Sequence, residues 1–215
     1  MTFGNFAVFG DSYSTFEGYI PENYLIWYGP TRNEDNGVLR VEQTWWYPIA
    51  TMEGNHLVFN NSYSGSTICN TGYEGRYCPE SSFVGRMKMF EGHGEDLDTV
   101  FLLAGTNDTW ANSPIGEPTD KAWDAYTDDE LRAVLPATYC LLGYLRATLP
   151  KTRIVILIND YLKDPIKEAL HRGGEEHRCD VIDLPDISRL GGHPTADGMR
   201  EIREAIFAYY ENRKM

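Results

Sequence analysis

Five short apolar runs punctuate the chain, at Phe6-Phe9, Leu57-Asn60, Thr99-Ala104, Arg153-Ile158 and Val181-Leu184. The segments between them are long enough for helices, and this alternation predicts an open parallel sheet with helices on both faces. Thr127-Asp128-Asp129-Glu130 predicts the start of a helix continuing towards Leu149, its acidic groups placed near the positive end of the helix dipole. Pro136 either kinks that helix or divides it into two. Thr195 is a cap for a final helix to about Tyr210, in which Met199, Ile202, Ile206 and Tyr209 recur at helical spacing and turn one face to the sheet.

Residues 13 to 45 break this pattern. Tyr13, Phe16, Tyr19, Tyr24, Trp27, Tyr28 and Trp45 are scattered among Gly, Pro, Asn and charged residues, with Trp46 just beyond. A connection this long without regular structure is often functional, and this one leaves directly from the end of the first strand. Most of its rings are expected to pack the loop onto the domain, while Trp27, Trp46 or Trp110 provides an aromatic wall for a ligand.

Composition sets outer limits. At 215 residues and 42% hydrophobic, the chain suits one domain spanning 1–215 with a sizeable core. Asp and Glu number 32 against 19 Lys and Arg, a formal charge of -13, which repels a nucleic-acid backbone where no basic patch is concentrated. The longest apolar segments fall far short of a bilayer span, so a soluble protein without membrane insertion is expected; the compartment and the oligomeric state stay open. Cys69, Cys78, Cys140 and Cys179 lack the short paired spacing of a zinc site. Cys69 and Cys78 flank a glycine-rich loop, where a disulfide would depend on geometry. His56, His93, His171 and His177 have no convincing local ligand sets, so no metal or other cofactor is expected. Arg32, Arg40, Arg76 and Arg86 read first as solvated surface cations and second as partners for an acidic substrate.

The chemistry concentrates where strands end. The first apolar run meets a small-residue turn at Gly10-Asp11-Ser12, and two polar clusters, Gly105-Thr106-Asn107-Asp108 and Gly192-His193-Pro194, follow similar runs. A serine hydroxyl is a weak nucleophile until a base takes its proton, and histidine suits that task near neutral pH. Ser12 and His193 are the candidate pair. Negative charge developing on an attacked carbonyl needs preorganised donors, and the backbone amides of Ser12 and Gly65 and the Asn107 side chain are suitable in kind. A plain turn at Gly65 and an Asx turn at Asn107 are the competing readings.

These blocks resemble those of the SGNH branch of the GDSL esterase and lipase family. The matching segments are Gly10-Asp11-Ser12-Tyr13-Ser14, a second centred on Gly65, Gly105-Thr106-Asn107-Asp108, and His193-Pro194. The resemblance implies a flavodoxin-like three-layer α/β/α sandwich with a five-stranded parallel sheet. It also implies a Ser12 nucleophile, a His193 base, and oxyanion donors at Ser12, Gly65 and Asn107. Asp11 would support the turn and Asp108 would orient the Asn107 loop.

One position departs from the family pattern. An acidic residue is expected three places before the histidine, but Leu190 stands there, followed by Gly191 and Gly192. Asp186 is the first alternative to complete a triad, with Asp183 and Asp197 also near; a backbone carbonyl orienting a Ser12-His193 dyad is the other solution. The expected substrate is a small-molecule or carbohydrate ester, with O-acetyl groups on a sugar favoured by the mixed aromatic and polar loop. The alternatives are a carbohydrate-binding protein that has lost turnover, or a lipase or thioesterase of the same superfamily.

Overall fold

Alternate residues of a strand point to opposite faces of its sheet, and a sheet covered on both sides makes every position apolar. That is why the five runs read as continuous rather than alternating. They form strands β1 (Gly4–Gly10), β2 (Asn55–Asn60), β3 (Thr99–Leu103), β4 (Arg153–Ile158) and β5 (Asp180–Asp183), all parallel, in the order β2-β1-β3-β4-β5. The structure, a computed structural model, describes residues 1–119 and 121–213. A short antiparallel pair, β6 (Arg189–Leu190) and β7 (His193–Pro194), lies outside the main sheet.

Ala7, Phe9, Val100, Leu102, Ile154 and Ile156 fill one side of the sheet with helices α2 (Phe83–Arg86), α4 (Val134–Thr148) and α5 (Asp164–Glu176). Phe6, Val8, Phe101, Leu103, Val155 and Leu157 fill the other with α1 (Tyr47–Ala50) and α6 (Ala196–Asn212). The result is a three-layer α/β/α sandwich. Helix α3 (Thr106–Trp110) follows the end of β3. Among the described residues no helix is long and apolar enough to cross a membrane.

The last helix starts where the capping signal placed it: the Thr195 hydroxyl accepts from the Gly198 amide at 3.2 Å. Pro136 neither kinks nor divides α4. It sits in the first turn, where an amide proton has no intrahelical partner in any case, and the acidic stretch before it forms a separate short 3-10 turn at Glu130–Arg132. Segment 13–45 contains 3-10 turns and an isolated bridge between Gly29 and Arg32, and acts as part of the second layer. Its Tyr13, Phe16, Tyr28, Val38, Val41 and Trp45 side chains are buried against the sheet face. All four cysteines are free thiols, so the open question of a Cys69–Cys78 disulfide closes against it.

Phe101 is the hub of that second face. It lies fully buried in the middle strand, edge-on to Phe3 at 5.1 Å, Phe6 at 5.6 Å and Trp45 at 5.7 Å between ring centres. Phe101→Ala is expected to lower the free energy of unfolding by about 3–5 kcal/mol, measured by denaturant titration, because three neighbouring rings cannot all collapse into the cavity.

Candidate active site

β1 and β3 are paired in register, Phe9 with Leu102 and Gly10 with Leu103, so their carboxyl ends release the Ser12 turn and the Asn107 helix side by side. The turn is tight because nothing can occupy a Cβ position at Gly10. Such an atom would lie 2.5 Å from the Ser14 hydroxyl and 2.8 Å from that of Ser62. Asp11 caps the turn, its Oδ1 accepting from the Tyr13 amide at 3.0 Å. Below it, Ser14 is locked in place: its carbonyl accepts from Trp46 Nε1 at 2.9 Å and Asn60 Nδ2 at 2.8 Å, and its hydroxyl from Trp45 Nε1 at 3.2 Å.

The Ser12 hydroxyl lies 3.0 Å from His193 Nε2, across 181 residues of sequence. The other ring nitrogen, Nδ1, faces the Gly191 carbonyl at 3.4 Å. A carbonyl only accepts, so Nδ1 carries the proton and Nε2 is left free to receive one from Ser12. Trp27 stacks flat on the imidazole, with 3.5 Å between ring centres and 7° between planes. Trp110 and Tyr13 approach the ring at 5.2 and 5.7 Å. Burial pushes the His193 pKa down to about 4, against the weaker pull of the Gly191 carbonyl, so the ring is neutral at ordinary pH.

The loop carrying His193 is tied to the Ser12 turn by Tyr13, whose hydroxyl donates to the Gly192 carbonyl at 2.5 Å and also contacts the Tyr161 hydroxyl. Arg189 lies over the Tyr161 ring and bonds Asn159 at 2.6 Å and Asp160. None of the three candidate acids reaches the imidazole. Asp186 is 93% exposed and pairs with Arg189 at 3.3 Å, Asp183 pairs with His171 at 2.9 Å, and Asp197 pairs with Arg200 at 2.9 Å. The tight turn through Gly191 and Gly192 brings main chain, rather than a carboxylate, to Nδ1.

Gly65 adopts a left-handed φ of +86°, and its Cβ direction is open for 4 Å. Neither its amide nor that of Ser12 donates to another backbone carbonyl outside the regular elements, among the described residues. Asn107 is buried, with Nδ2 donating to the Ser66 carbonyl at 3.0 Å and Oδ1 accepting from the Tyr73 hydroxyl at 2.8 Å. Asp108 accepts from the Ile68 amide at 2.8 Å and so joins the Asn107 helix to the Gly65 loop. Burial raises Asp11 to about 7 and Asp108 to about 6.

Two further expectations from sequence are corrected. Trp46 is fully buried beneath the Ser12 turn and forms no wall of the site, whereas Trp27 covers the imidazole and Trp110 is partly exposed beside it. Arg86 is no surface cation. It is buried, donating to the Asn61 carbonyl at 2.6 Å, the Ser66 hydroxyl at 2.8 Å and the Ser81 carbonyl at 2.9 Å. Burial lowers its pKa to about 10. The only signal in the sequence was its place in the apolar stretch Phe83-Val84-Gly85-Arg86-Met87. Tyr73 and Tyr161 gave no signal at all. A separate cavity of about 610 Å³, lined by Glu168, His171 and Arg213 among others, lies by β5 and α6 and does not include Ser12 or His193.

A family model described as GDSL-like Lipase/Acylhydrolase matches residues 4–210. A solved structure described as a GDSL-like lipase from Bacteroides ovatus ATCC 8483 is 34% identical, with a TM-score of 0.89 over 99% of this chain and 100% of that one. A second, from Bacteroides uniformis ATCC 8492, is also 34% identical, with a TM-score of 0.86 over 97% and 96%. An acetyl xylan esterase from the rumen bacterium Butyrivibrio proteoclasticus shares the fold, at 16% identity and a TM-score of 0.61 over 100% of this chain and 64% of that one. No curated protein matches the chain.

Two titrations follow from the burial of these groups. The His193 ring is expected to stay neutral down to about pH 4, and Trp27→Ala to raise its pKa towards the ordinary 6.5 by opening one ring face to water, read by NMR of the imidazole carbons. Asp11 holds its proton more tightly folded than unfolded, so its contribution to stability is present below its ordinary 3.8 and lost as pH rises through about 7. Asp11→Asn removes that loss and makes the fall in unfolding free energy across this window less steep, the remaining slope coming in part from Asp108, measured by denaturant titration at several pH values.

Proposed function

The chain belongs to the GDSL-like lipase/acylhydrolase family and is an SGNH-type carboxylic ester hydrolase, and from that premise we propose that it is a serine esterase working through an acyl-Ser12 intermediate. The observation that carries this reading is the 3.0 Å contact between the Ser12 hydroxyl and a neutral His193 whose other nitrogen faces a main-chain carbonyl. His193 Nε2 takes the Ser12 proton as the oxygen attacks the ester carbonyl. The tetrahedral oxyanion is received by the amides of Ser12 and Gly65 and by Asn107 Nδ2. Protonated His193 then gives its proton to the departing alcohol, and water repeats the sequence on the acyl-enzyme.

The mechanism is a dyad. In a triad a carboxylate fixes the imidazole tautomer and stabilises the imidazolium. Here the Gly191 carbonyl sets the tautomer, and the Trp27 face lies where it can attract the positive charge that develops on the ring. The alternative of a binding protein without turnover is disfavoured by the same geometry, since the hydroxyl and imidazole keep a productive separation despite Leu190.

For the substrate, the reading is an O-acetyl ester on a carbohydrate. Exposed rings at the site, Trp110 and Tyr73, suit the apolar face of a sugar, and the fold shared with an acetyl xylan esterase is consistent with it. No step requires a metal or an organic cofactor.

Acetate release from a panel of acetylated sugars, run beside short-chain aryl esters, tests the assignment. Ser12→Ala is expected to lower kcat by about ten-thousand-fold or more. Asp186→Asn is expected to leave kcat/KM within about two-fold, whereas loss of a triad carboxylate costs orders of magnitude. Release from neither substrate set by folded protein that still binds sugars would replace the esterase reading with the binding one.

A further inference from the structure

An asparagine side chain presents either an acceptor or a donor, and its surroundings decide which end faces a ligand. At Asn107 the choice is forced. The Ser66 carbonyl can only accept, so Nδ2 points to the Gly65 loop at 3.0 Å, and the oxygen at the other end accepts from Tyr73 at 2.8 Å. One proton of Nδ2 is thereby used and the second is left for a substrate oxygen.

Tyr73 stands on a side loop fastened at several points. The Cys78 amide donates to the Asn70 carbonyl and that of Gly72 to the Arg76 carbonyl, both at 2.9 Å, while Thr71 bridges to Tyr77. Ser113 Oγ donates to the Thr71 carbonyl at 2.8 Å and the Asn70 amide to Leu131 at 2.8 Å, fixing the base of the loop to the body of the protein. The ring is 42% exposed, yet its hydroxyl reaches inward to a buried amide. Partial burial and the charges of Asp11 and Asp108 raise its pKa to about 12, so it remains a donor at any pH where His193 acts as a base. A hydrogen bond received at an amide oxygen withdraws electron density through the conjugated C–N bond and makes the amide N–H a stronger donor.

We propose that Tyr73 is a positioning residue for ester hydrolysis: its hydroxyl fixes and polarises the Asn107 amide, strengthening the donor offered to the oxyanion. The inference rests on the Ser12 esterase reading and adds to it a residue outside the four family blocks. Its effect belongs to the transition state, where the carbonyl oxygen becomes charged, rather than to ground-state binding.

The experiment is a double-mutant cycle on a short-chain aryl ester, with melting temperatures recorded for every variant. Tyr73→Phe keeps the ring and removes only the hydroxyl; kcat is expected to fall about five- to thirty-fold with KM within about two-fold, less than the loss from deleting an oxyanion donor outright. In an Asn107→Ala background the same change is expected to alter kcat by less than about two-fold, because no amide remains to polarise. Equal losses in both backgrounds, an unchanged kcat in the first, or a rise in KM alone would each overturn the proposal. The wild-type and Ser12→Ala rates separate the two levels. Absence of Ser12-dependent turnover removes the esterase reading and this proposal with it, whereas Ser12-dependent turnover unaffected by Tyr73→Phe removes only the role of Tyr73.

Discussion

Parallel pairing forces neighbouring strands to end at the same edge of the sheet, and the register of Gly10 with Leu103 is the constraint on which the site depends. With that register set, Ser12 and Asn107 follow adjacent strands at the same edge of the sheet, two and four residues beyond the paired positions. The loop after β2 arrives on the other side of β1 and brings Gly65 to the same edge. What the sheet does not supply is precision. That comes from buried polar contacts beneath the edge, where Ser14 receives two indoles and an amide and Asp108 staples the Gly65 loop to the Asn107 helix. Each contact satisfies a group that would cost about 1–3 kcal/mol if left unpaired, so the turns have little freedom to drift.

His193 reaches this edge by a different route. It comes from a short hairpin outside the sheet, and its placement depends on Tyr13, Tyr161 and Arg189 rather than on strand register. A carboxylate beside the imidazole would raise its pKa and hold it by charge. The Gly191 carbonyl and the Trp27 face orient the ring without placing a formal charge beside it, and burial then lowers its pKa. In the proposed mechanism such a base would be available over a wide pH range but intrinsically weaker, which would place a larger share of transition-state stabilisation on the oxyanion donors.

Buried charge is distributed accordingly. Asp11 and Asp108 lie under the site with pKa values raised by burial, and Arg86, packed against Phe9 and Phe83, holds the Asn61 to Ser66 segment from behind. A guanidinium presents several donors in a fixed plane, and here they go to the main-chain and side-chain oxygens of Asn61, the Ser66 hydroxyl and the Ser81 carbonyl. Burial disfavours the charged form of each of these groups, raising both carboxyls and lowering the guanidinium.

The strands and the layered sheet were legible in the sequence because they are local: an apolar run, a small-residue turn and a cap each announce themselves within a few residues, whereas the blocks around Ser12, Gly65, Asn107 and His193 were singled out together by their resemblance to the GDSL family. Which partner His193 takes was not legible, since an acid and a main-chain carbonyl both stayed open. Asp186, Asp183 and Asp197 are near it in sequence, but the φ of +59° and +81° at Gly191 and Gly192 turn the chain so that a carbonyl, a group every residue carries, faces Nδ1. Which tryptophan covers the imidazole, why Trp46 lies beneath the turn and why Arg86 is buried also waited for the fold. Aromatic and cationic side chains reach across long sequence separations, and only tertiary packing decides whether such a group meets water, a ligand or another ring.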